Sequence, residues 1–218
     1  MELNFFDKKQ AIICFLRHGQ TDWNVQCRMQ GREEVPLNEV GIAQAKTAAT
    51  GLKRAKNETG LFWDKIISSP LERAKTTAMI VKEAVECNNF IVDDRLLERD
   101  FGALSGTKYD DYSRAVYDAV PEISSIETVE SLIERVNELI KDRVSVGERV
   151  IFVTHGAVTR VFASNAEKSE AFADEKTFAI GNCNVAIYSY DGNKPVLQAY
   201  DISCDDIVQF VTENSEEK

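Results

Sequence analysis

The chain has 218 residues, 44% of them hydrophobic, with 11 Gly and 4 Pro; it is long enough to bury about 70% of its unfolded surface and is neither disordered nor collagen-like. Its 26 Lys and Arg against 36 Asp and Glu leave a formal net charge of -10, which argues against a nucleic-acid partner and leaves a small anion in a locally positive pocket. The five cysteines, Cys14, Cys27, Cys87, Cys183 and Cys204, form no CxxC pair, so a reduced, cytoplasmic protein without a zinc cage is expected.

In chain order, residues 1–10 are too polar for a signal peptide, and no apolar run is long enough to cross a bilayer, so no membrane partner is expected. Residues 11–16 form a short, wholly apolar run, the pattern of a strand covered on both faces. Asn38 is placed to cap a helix whose apolar stripe is Ile42, Ala45, Ala49 and Leu52. Residues 65–67 read as a second strand. A helix is then expected with Ser69 as cap, Pro70 in its first position, Glu72 closing a capping box, and Ala74, Ala78, Val81 and Val85 on its inner face. Residues 90–92 are a weak strand and 94–107 irregular; 108–121 are polar and aromatic, with Tyr109, Tyr112 and Tyr117 over the site or in a small core of their own. The spacing of Val129, Leu132, Ile133, Val136, Leu139 and Ile140 predicts a helix over 127–144. Residues 150–153 are another buried strand, leading through Thr154-His155-Gly156 into a helix from Ala157. Residues 185–190 and 196–200, joined by Asp191-Gly192-Asn193, read as a terminal hairpin. The fold class is therefore α/β: a three-layer α/β/α domain with a mostly parallel central sheet and a small lid. One domain is expected over 1–218, with a lid at 107–126 and a flexible tail at 206–218.

Ligands of open α/β sheets sit beyond the carboxyl ends of the strands. The only two histidines, His18 and His155, both follow an apolar strand and a polar residue and precede a glycine. Neighbouring strands would turn both imidazoles into one crevice, with the glycines permitting close backbone approach. Arg17 precedes the first histidine, and Arg73 falls near a helix start just past a strand, where a guanidinium beside unpaired N–H groups suits a phosphate dianion. Glu98, after the weak strand, is placed to give a proton to a leaving oxygen. The cysteine-phosphatase pattern fails, because position 20, six after Cys14, is glutamine, and an arginine beside each histidine repels a divalent cation.

Six blocks in order carry a resemblance: Arg17-His18-Gly19-Gln20-Thr21-Asp22-Trp23-Asn24; Arg28-Met29-Gln30-Gly31; Pro36-Leu37 with Gly41 and Gln44; Ser68-Ser69-Pro70-Leu71-Glu72-Arg73-Ala74 with Thr77-Ala78; Glu98 with Gly102 and Gly106; and Thr154-His155-Gly156. Together they resemble the histidine phosphatase superfamily, in the branch of cofactor-dependent phosphoglycerate mutases and their phosphatase relatives. The match runs from residue 11 to about 162, and residues 182–188 resemble a later family strand. The resemblance implies that His18 is the nucleophile, carrying a transient phosphohistidine, and that Glu98 is the proton donor and acceptor. It implies that His155 stabilises the transition state, that Arg17, Arg73 and Asn24 grip the phosphoryl oxygens, and that Gln30 and Gly31 shape the pocket wall. No metal and no cofactor are required, and the partner is a small phosphorylated metabolite. A mutase of this family holds a second acidic group with adjacent arginines in a longer insertion; residues 107–126 offer only Lys108 and Arg114, which favours a hydrolase. A phosphoglycerate mutase and a fructose 2,6-bisphosphatase-like activity stay open as alternatives, and a non-catalytic phospho-ligand module comes after them.

Overall fold

The computed structural model describes residues 4, 5, 7–109, 125–169 and 179–214. Strand β1 (Ala11–Arg17) is buried along almost its whole length, as an unbroken apolar run must be between two covering layers. A single turn, α1 (Asp22–Val25), precedes helix α2 (Glu39–Thr59), which starts where the Asn38 side chain accepts the Gly41 N–H at 2.9 Å. Then come β2 (Lys65–Ser68), α3 (Glu72–Val85), β3 (Phe90–Val92) and two 3-10 turns, Asp94–Leu96 and Gly102–Leu104. The chain continues through α4 (Val129–Arg143), β4 (Arg149–Thr154), α5 (Gly156–Asn165), β5 (Glu167–Lys168), β6 (Asn184–Tyr190), β7 (Pro195–Ser203) and α6 (Ile207–Glu213).

The seven strands form one sheet in the order β3-β2-β4-β1-β6-β7-β5. The run from β3 to β1 is parallel, while β6 and β7 join it as the expected antiparallel hairpin. One face is covered by α2, α3 and α6 through Ala45, Ala49, Leu52, Ala78, Val81 and Val211; the other by α4 and α5 through Leu132, Val136, Val158 and Phe162. Phe15 joins β1 to the second layer, with its ring 5.2 Å from Phe162 and 5.0 Å from Tyr188. The three-layer arrangement read from the alternation of strands and helices is the one observed.

Four local expectations change. Ser69 does not cap α3, which begins at Glu72 behind Leu71; the Ser69 hydroxyl lies 2.8 Å from Nε2 of His155 and accepts the Leu71 N–H at 3.4 Å, and the Glu72 N–H is taken instead by Glu34. Ile42 is 37% exposed, because α2 buries Gly41, Ala45, Ala48 and Gly51 and is held close by small residues. Val129 and Ile133 lie at the margin of the buried face of α4 rather than within it. The tail expected to be flexible from 206 is helical as far as Glu213: Ile207 and Val211 are buried against α2, and Phe210 meets Phe5 edge-on at 5.9 Å. Most of the expected lid, including Tyr112, Arg114 and Tyr117, lies outside the described residues.

Candidate active site

The parallel pairing of β1 with β4 sets Arg17 opposite Thr154, so the next residue of each strand, His18 and His155, leaves the sheet at the same level. The His18 N–H donates to the Thr154 carbonyl at 3.0 Å, and the two imidazole centroids lie 5.2 Å apart at an interplanar angle of 62°. Strand order extends this into a row: β2 delivers Ser69 and Arg73 beside His155, β3 leads to Glu98, and the stretch before β6 delivers Asn182 beside His18. The glycine after His18 is required by contact, and the one after His155 sits tightly against Arg17. A Cβ on Gly19 would lie 2.4 Å from the Gly41 carbonyl oxygen, and one on Gly156 would lie 3.2 Å from Nε of Arg17.

Each side chain is held by its surroundings. Nδ1 of His18 lies 2.6 Å from the Gly19 carbonyl oxygen; a carbonyl only accepts, so Nδ1 carries the ring proton, and in the neutral ring Nε2 keeps its lone pair. Nε2 of His155 is 2.8 Å from the Ser69 hydroxyl, and its Nδ1 is buried with no partner among the described residues. Arg73 is fully buried, donating to the carbonyls of Glu33 at 2.7 Å and Gly31 at 2.8 Å. Arg17 donates to the Ile180 carbonyl, and the Nε atoms of both arginines are buried without partners among the described residues. Asn24 uses Oδ1 to accept from the Thr21 N–H and from Nδ2 of Asn182. Glu98 is 7% exposed and seated at the start of α5: Oε2 accepts the Ala157 N–H at 3.2 Å, and Oε1 accepts those of Val158 at 3.2 Å and Arg99 at 2.9 Å.

A cavity of about 180 Å³ opens onto this row. Arg17, His18, Asn24, Gln30 and Glu98 line it, whereas His155, Arg73 and Gly31 are not among its lining residues. Gly31 acts on Arg73 through its carbonyl and does not face the open space. Of the two placements that the sequence left open for Tyr109, the cavity wall is the one observed; Arg28, known only from its family block, stands there too, while Phe101 and Arg160 in the wall, Ser69 as the partner of His155, and the contact of Asn182, which donates to the His18 carbonyl at 3.0 Å, were not foreseen. Arg160 had a usable signal: it stands three and four residues after Ala157 and Gly156, so one face of α5 carries all three to the cavity. Asn182 opens the stretch 182–188 that resembles a family strand, but its contact with His18 and Asn24 had no local signal, because those partners are distant in sequence.

Burial, then the positive charges of Arg73 and Arg17, hold His18 well below the ordinary imidazole value of 6.5, against an opposing effect of its bond to Gly19. His155 is held low by burial, Arg73 and His18 in that order, and burial pushes Arg73 down to about 10. The unfolded chain takes up protons near pH 6.5 and the folded one does not, so the stability contributed by these neutral rings is complete above about pH 6.5 and lost as the pH falls below it. With only two histidines in the chain, proton NMR reads this directly: neither imidazole is expected to titrate between pH 6 and 7, and a midpoint near 6.5 for either ring would contradict the electrostatic picture.

Comparison with known proteins gives a consistent answer. The uncharacterized phosphatase PhoE of Bacillus subtilis (strain 168) is 35% identical over 149 residues, covering 67% of this chain and 72% of that one. Phosphoglycerate mutase-like protein 4 of Arabidopsis thaliana is 31% identical over 219 residues, covering 92% and 90%. The structure of a mycobacterial glucosyl-3-phosphoglycerate phosphatase in complex with VO3 superposes with a TM-score of 0.68 at 25% identity, covering 88% of this chain and 99% of that one. No helix among the described residues is long and apolar enough to cross a membrane. Residues 13–203 match the model of the histidine phosphatase superfamily (branch 1), and the chain belongs to that family.

Proposed function

We propose that the chain hydrolyses small phosphomonoesters through a phosphohistidine on His18. The observation that carries this reading is the state of that ring: its proton is fixed on Nδ1 by Gly19, burial and two guanidinium groups keep it neutral, and Nε2 remains a nucleophile beside a second imidazole. In the first step Nε2 bonds to phosphorus, the ester P–O bond breaks, and Glu98 passes a proton to the departing oxygen. In the second, water attacks phosphorus, the P–N bond breaks, and Glu98 takes the water proton. Arg17, Arg73, Asn24 and His155 stabilise the spread of charge over the equatorial oxygens. The unpartnered Nδ1 of His155 and the Nε atoms of both arginines support that role. Gln30 lines the pocket, and Gly31 contributes by fixing Arg73.

Relatives carry both phosphatase and mutase names. The hydrolase reading is supported by the short stretch 107–126 without an arginine pair. Arg28 and Arg160 line the cavity without an acidic ion-pair partner among the described residues, which favours substrates with a further negative group. The test is a panel of phosphorylated metabolites, including 3-phosphoglycerate with and without 2,3-bisphosphoglycerate, scored for free phosphate against isomer. Free phosphate is expected, unchanged by excess EDTA. Isomer as the main product would make the chain a mutase, and strong inhibition by EDTA would bring metal chemistry back.

A further inference from the structure

Glu98 is fixed from two sides. Its carboxylate is seated on the first N–H groups of α5. The backbone that carries it, from Arg95 to Asp100, is fastened by two further residues that do not line the cavity, Glu127 and Arg135. Arg135, on α4, grips the Glu127 carboxylate with both arms of its guanidinium, Nε to Oε1 at 2.6 Å and Nη2 to Oε2 at 3.0 Å, and uses Nη1 to hold the Arg95 carbonyl at 2.5 Å. Glu127 in turn accepts the Asp100 N–H on Oε2 at 3.2 Å, donates its own N–H to the Asp100 carbonyl at 2.9 Å, and accepts Nε of Arg99 on its carbonyl at 2.8 Å. The pair thus satisfies backbone groups three residues before Glu98 and two residues after it. The Glu127 side chain is 8% exposed and that of Arg135 14%, so these bonds are little competed for by water. Arg32 adds a weaker tie, reaching the Glu98 carbonyl at 3.4 Å and Glu127 at 3.6 Å.

An ion pair this buried is a poor means of gaining stability, since two desolvated charges recover little more than their desolvation cost. Its two bonds to one short segment, from Arg135 to the Arg95 carbonyl and from the Asp100 N–H to Glu127, serve geometry instead, beside two made by the Glu127 main chain. We propose that Glu127 and Arg135 are positioning residues for proton transfer, setting the distance between the Glu98 carboxylate and the ester oxygen without touching substrate. The inference rests on the assignment of Glu98 to that proton transfer. It predicts a selective defect: proton delivery matters for an alkoxide leaving group and little for nitrophenolate, so displacing Glu98 slows the first and spares the second.

The experiment is a double-mutant cycle between Glu127→Gln and Glu98→Gln, reading kcat/KM for an alkyl phosphate and for p-nitrophenyl phosphate. Glu127→Gln is expected to lower the alkyl phosphate value between about 10-fold and 100-fold and the nitrophenyl value less than about threefold, and to add nothing once Glu98 is already glutamine. Equal losses on both substrates, no loss on either, or a loss that multiplies with that of Glu98→Gln would overturn the positioning role. If Glu98→Gln alone does not discriminate the two substrates, the assignment of Glu98 fails first and the two failures are distinguished. Should Glu127→Gln not fold, Arg135→Lys, which keeps the charge and loses the two-armed grip, carries the same test with the same outcomes.

Discussion

Replacing His18 by alanine is expected to lower turnover of p-nitrophenyl phosphate by at least about 1000-fold, because removing an attacking group leaves only binding and electrostatic assistance to a direct attack by water. The fold should survive the change. The main-chain bond from residue 18 to the Thr154 carbonyl does not depend on the side chain, and the two core layers lie below the crevice. A cooperative melt with native near-ultraviolet dichroism should therefore accompany the loss. Activity within about tenfold of the parent would mean that phosphorus is attacked by some other group, and the chemistry given to His18 would be withdrawn.

Glu98→Gln should separate the two halves of the reaction. Glutamine keeps the shape and one acceptor but neither gives nor takes the proton, so kcat/KM for an alkyl phosphate is expected to fall about 100-fold to 10,000-fold while kcat/KM for p-nitrophenyl phosphate changes little. For the nitrophenyl ester the defect should move to kcat, since water must then attack the phosphoenzyme without a base, and a burst of nitrophenolate should precede slow turnover. The three N–H groups now on the Glu98 carboxylate, from Ala157, Val158 and Arg99, make some loss of stability expected too. Equal slowing of kcat/KM on both substrates would place Glu98 elsewhere in the mechanism.

The layered fold was legible because periodicity reports burial. The runs around Ile13 and Phe152 are apolar at every position, as only strands covered on both sides are, and the helices α3 and α4 repeat at three and four. The meeting of the two histidines at the candidate site was legible because both stand at strand ends in the same context. What the sequence did not disclose is how one hydroxyl is shared: Ser69 in front of Pro70 has every mark of a helix cap, yet the pairing of β2 with β4 brings His155 to it at 2.8 Å, and the only local N–H that it keeps among the described residues is that of Leu71 at 3.4 Å, ahead of the helix. The small residues of α2 misled in the same way, since close approach through Gly41 and Gly51 turned Ile42 outward. In the tail, Ile207 and Val211 carry a helical spacing of four, but what makes them a helix is a surface on α2 that no local pattern announces. The clamp of Glu127 and Arg135 was hidden for a related reason: its backbone partners near Glu98 lie 27 or more residues away.

The measurement that bears most directly on the convergence of His18, His155, Arg17, Arg73 and Glu98 is to trap the phosphoryl group in transit. Glu98→Gln should accumulate the phosphoenzyme with p-nitrophenyl phosphate. After quenching in alkaline denaturant, peptide mass spectrometry is expected to find an acid-labile phosphoryl group on the peptide carrying His18 and on no other. A burst without any covalent phosphate, or phosphate on a serine, a cysteine or His155 in place of His18, would contradict it.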